Sequence, residues 1–241
     1  MGKRILHIVT NAGQYDNGDP TGLWLSGLTT AWDRFEQRGF EQDIASPRGG
    51  DVPLDPRSLK FPFRNESANS WLNNPERMAL LKSTLPIRSI DPNTYDAICL
   101  AGGHGAMFDF THNFELHNLI ASVYERGAIV ASVGHGYCGF LNVRLSDGSY
   151  LVNGKILTGP SWWEEKLALV SQKVPFNAEE LAKERGADYI RWKRPYRSSA
   201  AATNGLVTGH NNSSSGNLVA SSVCEELDRL DSLKAKGSEP L

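Results

Sequence analysis

Short apolar runs alternate along this chain with longer segments whose apolar residues recur at helical spacing. The apolar runs predict buried strands at 1–10, 40–46, 95–101, 128–133, 189–192 and 206–208. The helical spacing predicts helices at 21–38, 114–126, 137–145, 164–170, 178–185 and 217–230. Because strands separated by helices usually pair in parallel, we expect an α/β fold with a mostly parallel sheet covered on both faces.

Three other segments complete the predicted organisation. Residues 47–92 are rich in Pro, Asn and Ser, which predicts an insertion with short helices. Asn153 and Gly154 stand between two short apolar runs, a pattern that predicts a small β-hairpin insertion. The chain after residue 230 is polar, so we expect one domain over 1–230 and a polar C-terminal tail over 231–241.

Composition narrows the class of protein. The 241 residues are 40% hydrophobic with a formal net charge of −2, which indicates a folded domain and argues against a nucleic-acid partner. No apolar stretch has the length of a membrane span, so we expect no membrane partner. Three scattered cysteines, Cys99, Cys138 and Cys224, argue against a disulfide framework. With no targeting pattern at the start, we expect a cytoplasmic protein.

The carboxyl ends of the predicted strands are the places where such folds bind ligands, and three of them carry informative residues, at 10–16, 101–106 and 133–138. Residues 131–139 have the small-residue pattern of a nucleophile elbow with Gly134 at the apex. Glycine presents no side chain there, so an ordinary strand–glycine–helix turn is an equally compatible interpretation.

The glycine-dense segment 101–106 follows the preceding strand. Backbone amides at Gly102 and Gly103 are suited to an anion, and the segment fits neither the Walker pattern nor the dinucleotide fingerprint. We therefore favour an oxyanion-binding turn that faces the elbow over a nucleotide site. The spacing of His104, His112 and His117 matches no common metal site, so we predict no metal.

Several segments together resemble the ThiJ/PfpI superfamily, specifically its glyoxalase III-like and chaperone-like branch. They span nearly the whole chain, at 21–25, 45–50, 53–58, 101–109, 135–141, 145–149, 158–165, 174–186 and 206–209. The resemblance implies a flavodoxin-like three-layer sandwich and a homodimer. It also implies a cysteine thiolate at the elbow, a histidine after it and a glutamate from the first long helix, which together convert methylglyoxal to lactate.

Two of the groups that the resemblance implies are missing. The elbow cysteine corresponds to Gly134, and the helix glutamate corresponds to Gly27. His135 matches the family histidine, and Glu164 or Glu165 falls where relatives place the acid that orients it, with the register uncertain by one. Gly102 and Gly103 match the oxyanion turn.

Other residues near the elbow depart from the family pattern or offer substitutes. Thr30 stands where relatives tend to carry histidine. Cys138 lies one helical turn beyond the apex, so its thiol is a candidate nucleophile, although a packing role is favoured. The polar groups available to a ligand also include His104, Asp16, Tyr15 and Trp163.

These residues predict a divergent enzyme that acts on a small-molecule substrate without a cofactor. The leading hypothesis is a lyase, hydratase or isomerase that uses His135 as acid or base on a small carbonyl-bearing metabolite, with the usual glyoxalase III activity absent. One alternative is a non-catalytic ligand-binding or chaperone-like protein. A further alternative is residual glyoxalase or deglycase chemistry through Cys138.

Overall fold

The computed structural model describes residues 2–191, 199–210 and 214–237. The strands are β1 (Arg4–Ile8), β2 (Glu41–Ser46), β3 (Leu85–Pro86), β4 (Ala97–Ala101), β5 (Ile129–Val133), β6 (Ile156–Leu157), β7 (Asp188–Tyr189), β8 (Ala200–Thr203) and β9 (Leu206–Gly209). The helices are α1 (Leu25–Gln37), α2 (Glu66–Leu72), α3 (Pro75–Leu80), α4 (Gly105–Asp109), α5 (Phe114–Glu125), α6 (Trp162–Leu167), α7 (Ala178–Glu184) and α8 (Ser215–Gly237).

Seven of these strands form one sheet in the order β3-β2-β1-β4-β5-β9-β8. Neighbours from β3 to β9 pair in parallel, and only the edge strand β8 runs antiparallel to its neighbour. The predicted α/β, mostly parallel and flavodoxin-like architecture is confirmed. The carboxyl ends of β1, β4, β5 and β9 therefore meet at one edge of the sheet.

Both faces of the sheet are covered, which makes three layers. Successive side chains of β4 alternate: Ile98 packs in the cluster that contains Ile120 of α5, and Cys99 packs in the cluster that contains Phe35 of α1 and Val223 of α8. All five residues of β4 and all five of β5 are buried. This double coverage explains why the central strands are continuous apolar runs and not alternating ones.

The predicted hairpin at Asn153 and Gly154 is wrong. Residues 151–154 form turns, and β6 pairs in parallel with β7. A two-residue hairpin needs a positive φ at its first central position or at both, and here only the second, Gly154, has one. The small hairpin of this fold lies instead between β8 and β9, where Asn204 has φ 47° and Gly205 has φ 79°.

Two predicted helices differ from the structure. The segment predicted as a helix over 137–145 is a 3₁₀ helix, Gly134–Gly139, followed by turns. At the end of the chain, α8 continues to Gly237, where the sequence predicted its end at residue 230, and Lys3 Nζ lies 2.7 Å from Asp231 on this extension. The remainder of the predicted tail, 238–241, and the last residue of the predicted strand 189–192 lie outside the described residues.

The segment 47–92, the predicted insertion, carries the short helices α2 and α3. Asn65 caps α2 by accepting from the Ala68 N–H, and Asn74 caps α3 in the same way. Trp71 of α2 is fully buried and meets Trp32 of α1 edge-on, with ring centroids 5.4 Å apart. The insertion is therefore anchored to α1, beside the carboxyl edge of the sheet.

Within the part of the chain that the structure describes, no helix combines the length and the apolar character needed to cross a membrane.

Candidate active site

The turns that follow β4 and β5 pack backbone against backbone. Gly134 begins the elbow with φ 58°, and the Gly102 N–H donates to the Val133 carbonyl at 2.9 Å. A Cβ atom on Gly102 would lie 2.5 Å from the His135 nitrogen and 2.4 Å from the Gly136 nitrogen. Only glycine fits at position 102, because a side chain there would collide with the elbow. The backbone of His135 therefore packs directly against the turn that follows β4.

The same turn fixes the entrance of α1. The Trp24 N–H donates to the Gly102 carbonyl at 2.8 Å. Gly103 has φ 147°, and a Cβ atom there would lie 2.1 Å from the Gly22 carbonyl oxygen. The loop before α1 is thereby held against the elbow, with Trp24 at the site.

Helix α6 supplies two adjacent carboxylates, Glu164 and Glu165, that bond different partners. Ser161 caps this helix in a capping box, in which the Ser161 N–H donates to Glu164 Oε2 at 2.8 Å. Successive helical residues point about 100° apart. Glu165 therefore faces a different neighbour from Glu164, and it is the residue that reaches the elbow.

Glu165 joins two buried histidines. Its Oε1 lies 2.8 Å from His135 Nε2, and its Oε2 lies 2.8 Å from His104 Nε2. The two imidazole centroids are 4.3 Å apart. The uncertainty between Glu164 and Glu165 is thus resolved geometrically, with Glu165 beside His135.

The environment of His104 determines its protonation. Arg57 Nη2 lies 2.7 Å from His104 Nδ1 and also donates to the Tyr15 hydroxyl at 2.8 Å. Because a guanidinium only donates, Nδ1 is the acceptor, and the proton of the neutral ring sits on Nε2, which donates to Glu165. Burial lowers the pKa of His104 to about 4, and the nearby His135 and Arg57 act in the same direction.

Glu165 is the negative centre of the cluster. Burial alone would raise its pKa, but the imidazoles of His135 and His104 outweigh burial and hold the pKa well below its usual range. An ionised Glu165 accepts a hydrogen bond from His135 Nε2–H, which leaves Nδ1 of His135 as the nitrogen without a proton. That Nδ1 is buried and meets no hydrogen-bond partner within the described residues.

A second imidazole–carboxylate pair lies on the same helix. His210, the residue after β9, places its Nε2 2.9 Å from Glu164 Oε2. His210 is buried, and its Nδ1 also has no hydrogen-bond partner among residues that the structure describes. Glu164 therefore bonds His210, which follows β9, and Glu165 bonds His135, which follows β5. Glu165 also bonds His104.

These groups border a cavity of about 250 Å³. Polar and apolar side chains share its wall. The described lining residues are Trp24, Arg57, Phe63, His104, His135, Pro160, Glu164, Glu165, Ala168, Val170 and His210. The cavity is smaller than the pockets that take drug-sized ligands, so its size is suited to a small metabolite.

Sequence reasoning identified four of these lining residues, His135, His104, Glu164 and Glu165. Gly102 and Gly103 pack behind them and shape the backbone, as described above. Gly27 lies on α1, where an added Cβ atom would be 3.4 Å from Cγ1 of Val133, the residue that precedes Gly134. Gly27 and Gly134, the two positions where the resemblance implies catalytic groups, therefore lie close together in space.

Cys138, the candidate substitute nucleophile, lies in the hydrophobic core. Its side chain is fully buried in the core cluster on the α5 side of the sheet. Burial raises the pKa of its thiol well above the usual range, and the Glu165 charge adds to this effect. The thiol is buried and lies outside the described cavity lining, which argues against the alternative of residual chemistry through Cys138.

Three other predicted site residues lie away from the cavity. Asp16 is exposed in a turn. Trp163 is 47% exposed and borders a different surface depression, together with Lys183 of α7. Thr30 donates back to the Ser26 carbonyl at 2.7 Å, within α1. Trp163 and its neighbour Glu165 point in different directions because two helical positions are about 200° apart.

Sequence reasoning missed Arg57, His210, Trp24 and Phe63. His210 lies two residues beyond the predicted strand 206–208, so the rule that selected the other three strand ends would also have selected it. Arg57 and Phe63 belong to the insertion, and no pattern in the sequence indicates that this segment covers the site.

His104, His135 and Glu165 are also the described residues that come closest to a metal-binding arrangement, with ligand atoms within 4.8 Å of one another. Both oxygens of Glu165 are already hydrogen-bonded to an imidazole N–H. A metal ion would have to replace both of these bonds. His117, considered from the sequence, bonds to the Phe110 carbonyl instead.

Comparison with known proteins places this site in a family. No family model matches the chain. The probable glutathione-independent glyoxalase HSP32 of Saccharomyces cerevisiae is 30% identical over 217 residues, which cover 83% of this chain and 87% of that protein.

Two crystal structures share the whole architecture. Glyoxalase III from Candida albicans has a TM-score of 0.82 and 26% identity, covering 93% of this chain and 97% of that one. Rapid Encystment Protein 24 kDa of Francisella tularensis has a TM-score of 0.87 and 28% identity, covering 93% and 99%. The chain belongs to the glyoxalase III-like branch of the ThiJ/PfpI superfamily.

Proposed function

We propose that this protein is an acid–base enzyme, a cofactor-independent lyase, hydratase or isomerase that acts on a small carbonyl-bearing metabolite. The observation that carries the proposal is the pairing of His135 Nε2 with Glu165 at 2.8 Å, which leaves Nδ1 unpartnered in a histidine that lines the cavity. An imidazole oriented by a carboxylate in this way is suited to take a proton from a substrate and return it.

In this proposal the reaction does not proceed through a cysteine thiolate, because no cysteine is placed to act as the nucleophile. The elbow apex is Gly134, and Cys138 is sealed in the core with a raised pKa. A cavity without the thiol and the helix carboxylate holds the substrate non-covalently. The backbone amides at Gly103 and His135 would stabilise a developing oxyanion.

The test compares the wild-type protein with His135→Ala in a metabolite extract, followed by mass spectrometry. His112→Gln is the matched control, because His112 is exposed and lies outside the described cavity lining. We expect a product that the wild type and the control form and that His135→Ala does not form. Retention of a ligand without any product supports the alternative of a binding protein.

A methylglyoxal assay tests whether thiolate-dependent glyoxalase activity is absent. We expect no conversion to lactate above the level of the buffer. Conversion at a rate typical of glutathione-independent glyoxalases would contradict the absence of thiolate chemistry.

A homodimer in the cytoplasm completes the proposal. Cys99, Cys138 and Cys224 are all unpaired and buried, which is compatible with a reducing compartment. Sedimentation velocity would test the oligomeric state.

A further inference from the structure

We propose that His210, held by Glu164, is a second acid–base residue of this site, and that the substrate is a small uncharged α-hydroxy aldehyde or ketone. The inference rests on the function proposed above and names its substrate class. According to this proposal, the enzyme isomerises its substrate by moving the carbonyl group between two adjacent carbon atoms.

The sheet places His210 and His135 at the same edge. Val133 of β5 is the register partner of Gly209 of β9, and the two histidines follow these residues by two positions and one position. Both line the same cavity of about 250 Å³. A substrate in this cavity would lie within reach of two imidazoles that come from neighbouring strands.

The two histidines have the same bonding pattern. Each uses Nε2 to bond a glutamate of α6, at 2.8 Å for His135 with Glu165 and 2.9 Å for His210 with Glu164. Each has a buried Nδ1 without a hydrogen-bond partner within 2–191, 199–210 and 214–237. A buried nitrogen left unpaired costs free energy, so both positions favour a ligand that supplies hydrogen-bonding atoms.

The charges around the cavity favour an uncharged ligand. Glu164 and Glu165 both border it, and Arg57 is the one arginine or lysine in its described lining. Arg57 is already paired with Asp55, its Nε 3.0 Å from Oδ1. A phosphate or carboxylate group would therefore meet two carboxylates without a free cation to balance it.

Two acid–base groups match the needs of a carbonyl shift through an enediol. His135 Nδ1 removes the proton from the carbon that bears the hydroxyl group, while protonated His210 gives its Nδ1 proton to the carbonyl oxygen. In the second half, the original hydroxyl group returns a proton to His210 and becomes the new carbonyl. His135 then delivers its proton to the former carbonyl carbon, so no oxidant or reductant is consumed.

The experiment uses glyceraldehyde and dihydroxyacetone as probes in D₂O, with NMR to follow isomerisation and deuterium incorporation at carbon separately. We expect the wild type to do both and His135→Asn to do neither. His210→Gln should lose isomerisation by at least about 100-fold. It should lose deuterium incorporation less, because His135 still exchanges the carbon-bound proton.

Glu164→Gln provides a second variant with a readout that a structural defect would not move. Glutamine keeps the capping acceptor of α6 but replaces the carboxylate that holds His210 Nε2, so isomerisation should fall more than deuterium incorporation, as in His210→Gln. Thermal melts establish that each variant is folded, and His112→Gln serves as the control.

Equal loss of isomerisation and exchange in a folded His210→Gln protein, or no loss at all, would overturn the role of His210. Failure of the wild type to turn over either probe would overturn the substrate class. The acid–base function itself stands or falls separately, on whether His135→Ala abolishes product formation in the metabolite extract.

Discussion

Nη2 of Arg57 lies 2.7 Å from Nδ1 of His104, and this contact fixes which imidazole nitrogen carries the proton. With Nδ1 as acceptor, Nε2–H is directed at Glu165. Burial, with the nearby His135 and Arg57, favours the neutral form of His104, and the imidazoles of His135 and His104 favour the ionised form of Glu165. The guanidinium of the insertion thus contributes to the protonation of the site through one shared histidine.

The first prediction concerns the titration of His104. In the double variant Asp55→Asn/Arg57→Met the guanidinium that faces His104 Nδ1 is gone, so protonation of Nδ1 becomes less unfavourable, and we expect the pKa of His104 to rise above its value of about 4. Long-range ¹H–¹⁵N NMR of the histidine rings measures this change. His7, whose pKa is lowered to about 4 by its own burial, is the internal control and should not move.

The second prediction concerns the Asp55–Arg57 ion pair. Burial raises the pKa of Asp55, but its bonds with Arg57 outweigh burial and lower it, and the Asp55 side chain is fully buried. Arg57→Met alone leaves this carboxylate unpaired, so we expect the free energy of unfolding to fall by about 3–5 kcal/mol. Urea unfolding of both single variants and the double variant measures the coupling.

Asp55→Asn/Arg57→Met should recover a large part of that loss, because no buried charge remains. If the double variant loses as much stability as the two single variants combined, the pair contributes no coupling, and the interpretation of Arg57 as the partner of a buried charge is wrong.

The sequence predicted the part of the site that depends on local pattern. Gly134 and His135 are adjacent in the chain, and the parallel pairing of β4 with β5 brings the Gly102 turn beside them. The choice between Glu164 and Glu165 was also available from the sequence, because Ser161 three residues before Glu164 forms a capping-box pattern that engages Glu164.

Other parts of the site depend on tertiary packing that no local pattern encodes. Arg57 reaches His104 only because the insertion folds back over the edge of the sheet. Cys138 is one turn from the elbow apex, but a glycine-dense 3₁₀ helix and not an α-helix carries it into the core. Spacing along the chain indicated proximity and could not indicate which side of the sheet the thiol would face.

The third prediction compares two glycines near the elbow. In Gly102→Ala the added Cβ atom would lie within 2.5 Å of three backbone atoms of the elbow, so the elbow must shift, and we expect a loss of stability of about 2 kcal/mol or more. His135 should move with it, which the NMR signals of its ring would show. Thermal and urea unfolding measure the stability change.

Gly27→Ala is the matched control for steric effects. Its Cβ atom would make an ordinary contact of 3.4 Å with Val133, and the residue lies within α1. Alanine favours a helix over glycine, so we expect stability to rise by about 0.5–1 kcal/mol. A destabilised Gly27→Ala protein together with an unaffected Gly102→Ala protein would show that the backbone packing at the elbow has been misassigned.

The last prediction concerns acid pH. Burial lowers the pKa of His7 to about 4, below the value of about 6.5 for an exposed histidine, so the folded state favours neutral His7. The unfolded chain takes up the proton first as pH falls. The stability that His7 contributes is therefore complete above about pH 6.5, declines as pH falls towards 4, and is absent below that.

The pKa shift of His7 sets the size of the stability loss, which is roughly 3 kcal/mol between pH 7 and pH 4. His7→Gln keeps a donor for the Gln42 side chain, with which His7 Nε2 bonds at 2.8 Å, but it cannot titrate. We expect its free energy of unfolding, measured in urea from pH 7 to pH 4, to fall less steeply than that of the wild type. His112→Gln, at an exposed position, should follow the wild-type curve, and parallel curves for His7→Gln and wild type would contradict the assignment of this acid sensitivity to His7.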